Sequence, residues 1–187
     1  MKAIKKILLL VAVFTTIFST CHADAVKISN LNAEQFLTNM RKVLFSEEVQ
    51  KNFPIAITNL TREQNKDIKK DNFQLQAWSA YFGKQGEEKS DGEVNLYVDE
   101  TNCVHTVKIT LKDGTNSGTE YSNVFASICS AIGLTQEEGL KLFSGGKSEE
   151  QGFYHAELES GNKIFLVITA FDSGVTRTLF MAGDGNG

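Results

Sequence analysis

Two stretches decide the fold class: Glu93-Val94-Asn95-Leu96-Tyr97-Val98-Asp99 and Cys103-Val104-His105-Thr106-Val107-Lys108-Ile109-Thr110-Leu111-Lys112. In the first, Val94, Leu96 and Val98 alternate with Glu93, Asn95, Tyr97 and Asp99. In the second, Cys103, His105, Val107, Ile109 and Leu111 alternate with Val104, Thr106, Lys108, Thr110 and Lys112. Successive strand residues point to opposite sides, so this alternation predicts one buried and one wet face, as in an antiparallel sheet covered on one side. Asp99-Glu100-Thr101-Asn102 between them reads as a tight hairpin connection. Upstream, beyond a charged loop at Gly83–Gly92, Phe73–Phe82 reads as an aromatic-rich strand. The polar stretch Thr58–Asn72 and a short strand at Ile55–Ile57 precede it.

Working outward, the period changes from two to 3.6. Tyr121, Val124, Phe125, Ile128, Cys129 and Ile132 recur at i, i+3, i+4, i+7, i+8 and i+11, an amphipathic helix that Gly133 is placed to end. Thr135-Gln136-Glu137-Glu138 has the form of a capping box and opens a shorter helix through Leu140 and Phe143, stopping at Gly145-Gly146. Toward the N-terminus, Asn32 and Gln35 form another capping box, with Leu31 and Phe36 as its hydrophobic staple. Phe36, Met40, Val43 and Leu44 continue that helix over 33–45. Ser46-Glu47-Glu48-Val49 starts a further turn, and Pro54, the single proline, closes the region. Three more strands are expected at 152–159, 163–171 and 175–182, joined by turns at Ser160-Gly161-Asn162 and Asp172-Ser173-Gly174. The expected class is therefore α+β, an antiparallel sheet with amphipathic helices packed on one face. The order helix, three strands, helices, three strands suggests a duplicated α-β-β-β organisation with halves at 26–113 and 114–187, without a repeat at residue level.

The first 25 residues read as a secretory signal peptide. Lys2, Lys5 and Lys6 make a basic start, Ile7–Phe18 an apolar run, and Ala23-Asp24-Ala25 an A-x-A cleavage site. The run falls short of the about 20 apolar residues a spanning helix needs. Cleavage near Ala25 leaves residues 26–187 as a single exported domain, secreted or periplasmic, with no transmembrane helix. The Lys-rich start suits a bacterium. A rival reading lipidates Cys21 and anchors the protein to the envelope, but Phe18-Ser19-Thr20 matches the residues before a lipidated cysteine poorly.

The whole chain carries a net charge of −4, and losing Lys2, Lys5, Lys6 and Asp24 with the leader makes it more acidic. The basic run Lys66-Asp67-Ile68-Lys69-Lys70-Asp71 is interrupted by acids and reads as a solvated loop. Nucleic acid, which demands clustered positive charge, is excluded as an expected partner. Cys103 and Cys129 survive processing. In an oxidising compartment they suit either one disulfide, worth about 3–4 kcal/mol in the chain-entropy model, or two buried thiols.

No Gly-x-Ser-x-Gly elbow, phosphate-cradling glycine loop or His-Glu-x-x-His helix occurs. Cys103 and His105 share a strand face, yet that face continues with Val107, Ile109 and Leu111, and four spaced metal ligands are missing. Asp113–Gly118 lacks an acid at the twelfth place of a calcium loop, where Val124 stands, and Asn59-Leu60-Thr61 is an isolated sequon match. No metal, cofactor or catalytic residue is therefore expected. The aromatic residues carry the remaining signal: Trp78, Phe82 and Tyr97 are expected to form a solvent-facing binding patch on the sheet surface away from the helices. The expected role is non-catalytic binding of a protein or small ligand in the cell envelope. The alternative is an exported enzyme whose motif-less site gathers scattered acids, His105 and His155.

Overall fold

The computed structural model describes residues 25–70, 73–87, 90–112, 118–143, 147–150, 153–157, 163–171 and 174–182. Residues 1–24 (with Cys21), and the residues expected to form the loop at 113–117, the stop at Gly145-Gly146 and the turns at 160–162 and 172–173, lie outside the described residues.

Helix α1 (Ala33–Leu44) starts at its capping box. The Asn32 side chain accepts from the Gln35 amide at 2.9 Å, while the Asn32 amide donates to Gln35 Oε1 at 3.2 Å. Two otherwise orphaned amides are thereby satisfied. Phe36, Leu37, Met40 and Leu44 form its buried stripe. Helix α2 (Glu47–Asn52), capped by Ser46, buries no residue, and Pro54 separates it from β2 (Ile55–Ile57). The second helical pair is α3 (Gly118–Ile132) and α4 (Gln136–Phe143). Gly133 adopts φ +91° after α3, a left-handed stop that a side chain would strain. Thr135 and Glu138 close the expected capping box, the Glu138 carboxylate accepting from both the Thr135 amide and hydroxyl. Among the described side chains of α4, Leu142 is buried at 0% exposure, whereas Leu140 is 58% exposed.

The remaining strands are β1 (Ala25–Val26), β3 (Thr61–Arg62), β4 (Ile68–Lys70), β5 (Phe73–Lys84), β6 (Gly92–Val98), β7 (Val104–Lys112), β8 (Lys147–Glu150), β9 (Phe153–Glu157), β10 (Lys163–Phe171) and β11 (Gly174–Ala182). All pairings are antiparallel, in the order β2-β5-β6-β7-β11-β10-β9-β8, with β3 and β4 on the outer edge of β5 and β1 beside the end of β11. Two meanders, β5-β6-β7 and β9-β10-β11, thus meet where β7 pairs with β11. α1 and α3 pack together, and their apolar stripes share one core with Val94, Leu96 and Val98 of β6 and Val107, Ile109 and Leu111 of β7. The fold is α+β, an antiparallel sheet with helices packed against it.

Gly92 lies at a tightly packed point of the core. A Cβ added there would stand 2.5 Å from the Thr110 carbonyl oxygen and 2.6 Å from Phe82 Cζ. The outer edge at β2 is closed by side chains: Gln50 Nε2 donates to the Ile55 carbonyl at 3.0 Å, and Arg41 donates to the Thr58 carbonyl at 2.9 Å and to Asn59 Oδ1 at 2.8 Å. Such capping blunts an edge that would otherwise invite another strand.

The disulfide expectation is corrected here, because Cys103 and Cys129 are both free thiols. A bulge at Tyr97/Val98 pairs Val98 with Val104 but Tyr97 with Thr106, so His105 is the extra residue and the alternation breaks. Val104 joins the core in its place. Cys103 falls outside the strand and is partly exposed, with the Lys27 ammonium 3.8 Å from its sulfur and the Asn30 carbonyl at 3.5 Å. Cys129 stays in the core on α3, where burial pushes its thiol up to about 12.

Candidate functional site

The face of β5-β6-β7 turned away from the helices was expected to be wet, yet Asn95 is 1% exposed, Tyr97 6% and Thr106 3%. Part of the cover comes from residues 61–70, in the polar stretch that contains the run expected to be a solvated loop. These residues run antiparallel along β5: Thr61 and Arg62 pair with Ser79 and Trp78, and Ile68–Lys70 pair with Leu75–Phe73. Between these pairings the chain leaves the ladder through a 3-10 turn at Gln64–Lys66. Side chains then replace ladder bonds at Ala77. Its amide donates to Asp67 Oδ1 at 3.0 Å, and its carbonyl accepts from Arg62 Nη1 at 3.1 Å as well as from the Glu63 amide at 3.0 Å.

Arg62 and Asp67 form a two-pronged pair at 2.7 Å on each prong. The Arg62 hydrogen bond holds the Asp67 carboxyl below the usual carboxylate range, against the opposing effect of burial. Below the turn, Ile68 packs on a small apolar cluster of Leu75, Ala77 and Tyr97, separate from the main core. Burial, with the nearby Glu93 charge, raises the Tyr97 hydroxyl above its ordinary value.

Lys66 projects from the turn across β5 to β6. Its ammonium donates to Glu93 Oε2 at 2.8 Å, Ser79 Oγ at 3.3 Å and Asn95 Oδ1 at 3.3 Å, and lies 5.9 Å from the centre of the Tyr81 ring. The three acceptor residues also hold one another. Ser79 Oγ donates to Asn95 Oδ1 at 2.6 Å, and Asn95 Nδ2 donates to Glu93 Oε1 at 3.1 Å. Burial disfavours the charged form of both Lys66 and Glu93, but their mutual hydrogen bond and attraction win. Glu93 sits below its ordinary value, helped by Asn95, and Lys66 above its own. On β7, opposite Asn95, burial depresses Lys108 despite the attraction of Glu93, and the Lys66 charge adds to the depression. The arrangement is a fixed set of charges and acceptors around one ammonium position.

The expected aromatic patch is corrected by register. Residues opposite one another in a ladder share a face, and Trp78 pairs with Leu96 while Phe82 pairs with Gly92. Phe82, 1% exposed, lies in the helix-side core and Trp78 packs against that core. Tyr97, opposite Ala77, faces the other way and is buried there. The three residues form no common exposed surface. His105 occupies the bulge, 6% exposed, with Nδ1 2.9 Å from Thr106 Oγ1. The side chain of His155 lies outside the described residues.

Among the described residues, no three His, Cys, Asp or Glu side chains are grouped to hold a metal ion, and no helix is long and apolar enough to cross a membrane. The sequence places Lys66 in a solvated loop and Glu93 and Asn95 on a wet strand face, because local pattern does not show that the loop folds across that face. The available signal was Asn95, a polar residue flanked by Val94 and Leu96 inside a sheet. Compared with family models, curated proteins and solved structures, the chain matches none.

Proposed function

We propose that this protein is an exported α+β domain, secreted or periplasmic, with a non-catalytic role in binding a protein or small ligand in the cell envelope. The observation that carries the binding role is the Lys66–Glu93 pair. A general acid or base works best with its pKa near ambient pH. Here Glu93 is moved down and Lys66 up, away from neutrality, and each is held by neighbours. The pair therefore keeps two opposite charges in fixed places, which suits recognition of a charged group. Export rests on the leader, with Lys2, Lys5 and Lys6 before the apolar run and Ala23-Asp24-Ala25 after it.

Two measurements test this reading. Intact mass of the full chain expressed in a bacterial host is expected to give a soluble exported protein starting at Val26 or Asp24, and an acylated N-terminus at Cys21 overturns soluble export. Co-purification of that protein with envelope fractions, read by mass spectrometry, is expected to yield a binder that Glu93→Gln releases without unfolding the domain. Retention by Glu93→Gln removes the polar cluster from the binding role.

A further inference from the structure

An ammonium group has three hydrogens to donate, and Lys66 finds one oxygen for each on Glu93, Ser79 and Asn95, with the Tyr81 ring nearby. That is more than an ordinary surface ion pair supplies. The acceptors are also organised without the lysine, because Ser79 bonds Asn95 and Asn95 bonds Glu93. Ser79 and Asn95 are 0% and 1% exposed, so two polar groups are buried to build the cage. Burying them is costly unless they are bonded.

The group filling the cage is carried on a short turn between two stretches of ladder pairing. The 3-10 turn at Gln64–Lys66 buries no residue of its own. Ladder pairing resumes on either side of it, at Thr61–Arg62 and Ile68–Lys70. Residues 63–67 are fixed between these anchors by Lys66 and by the Arg62, Glu63 and Asp67 bonds to Ala77. Lifting the turn would break these bonds and uncover the acceptor cage, while the main apolar core, to which the turn contributes no buried residue, would stay closed.

We propose that the Glu93–Asn95–Ser79–Tyr81 cage is a binding site for ligands presenting a primary alkylammonium group, and that Lys66 is its built-in occupant, displaced when the ligand enters. The proposal rests on the binding role above and names the ligand chemistry of the same site. Lys108 on β7 is the competing internal cation, since it also feels Glu93.

The experiment uses the processed chain and defined amines. Lys66→Ala empties the cage. n-Butylammonium chloride is expected to recover at least half of the melting temperature lost, whereas sodium chloride and tetramethylammonium chloride at equal concentration, which have no N–H to donate, recover none. Glu93→Gln in the Lys66→Ala background is expected to abolish the recovery. In the unmodified protein, cadaverine or Nα-acetyl-lysine amide is expected to raise hydrogen exchange at the Ala77 amide about tenfold, because its acceptor Asp67 leaves with the turn, while β6 amides stay protected. The tighter of the two probes identifies a free diamine or a protein lysine as the ligand source.

A folded Lys66→Ala protein that answers no more to butylammonium than to sodium overturns the proposal. So does an unmodified protein whose Ala77 exchange is unmoved by saturating cadaverine, which makes Lys66 a permanent structural partner; this arm decides alone if Lys66→Ala does not fold. These assays are independent of secretion, so a failure of export leaves them standing, and binding through another surface leaves the cage inert.

Discussion

Replacing Gly92 with alanine adds one methyl group at a place where the structure leaves no room. The new carbon would sit 2.5 Å from the Thr110 carbonyl oxygen, 2.6 Å from Phe82 Cζ and 3.0 Å from Phe82 Cε1. Reaching even a tight contact of about 3 Å requires the first two neighbours to retreat by roughly half an ångström each. Neither can do so cheaply: Thr110 is paired with Glu93 in the β6–β7 ladder, and Phe82 is 1% exposed in the packed core. Overpacking of this kind costs about 1–3 kcal/mol, and two rigid neighbours place Gly92→Ala near the upper figure. For a chain of this size that lowers the melting temperature by about 6–12 °C. Urea denaturation followed by circular dichroism, with Trp78 fluorescence as a second probe, measures it. A double-mutant cycle with Phe82→Leu locates the clash. Shortening the ring removes one of the two obstacles and leaves the Thr110 carbonyl, so the paired substitution is expected to cost about 1 kcal/mol less than the sum of the singles. A Gly92→Ala protein within about 0.5 kcal/mol of the parent, or strictly additive substitutions, would refute this account of the core.

Two glycines in the helical pair are expected to respond with opposite signs. Gly139→Ala stabilises α4 by up to about 1 kcal/mol, its methyl group meeting Cys129 Cβ at an ordinary 3.5 Å, while Gly133→Ala, at φ +91°, costs about 1–2 kcal/mol; equal responses in thermal melts sink the assignment. Thiol titration of the folded protein is expected to find Cys103 reactive in the native state and Cys129 only after denaturation, with reductant leaving the melting temperature unchanged; a reductant-sensitive melt reinstates the disulfide. Acid should unlatch the segment 61–70. Asp67 and Glu93 titrate lower in the fold than the about 3.9–4.3 of the unfolded chain, so their stabilisation is present above that range and lost as pH falls through the folded values. Asp67→Asn combined with Glu93→Gln is expected to flatten the acid limb of stability against pH, and an unchanged limb refutes the pairing. Lys66, raised in the fold, adds a loss only as pH climbs beyond the ordinary lysine value of about 10.4.

What the sequence by itself determined is what neighbours along the chain control. Asn32 with Gln35 starts α1, Thr135 with Glu138 starts α4, Gly133 ends α3, and Pro54 parts α2 from β2, because caps and stops act within one turn of chain. The alternation of Val94, Leu96 and Val98 likewise found the face that meets the helices. Tertiary structure decided everything that depends on which strand lies beside which. Period two says which residues share a face, but not what covers it, so the burial of Asn95 and Tyr97 and the partial cover provided by residues 61–70 were not legible. The bulge at His105 has no local signature; it shifts the register of β6 against β7, and Val104 rather than Cys103 joins the core. Trp78 and Phe82 turn toward the helices because the ladder sets Trp78 opposite Leu96 and Phe82 opposite Gly92. Lys66 reaches Glu93, 27 positions away, only because an interrupted edge strand carries it across β5. Local propensity fixed the helices and the long strands, while the long-range ladder added the short edge strands β3 and β4 and chose the faces and, with them, the site.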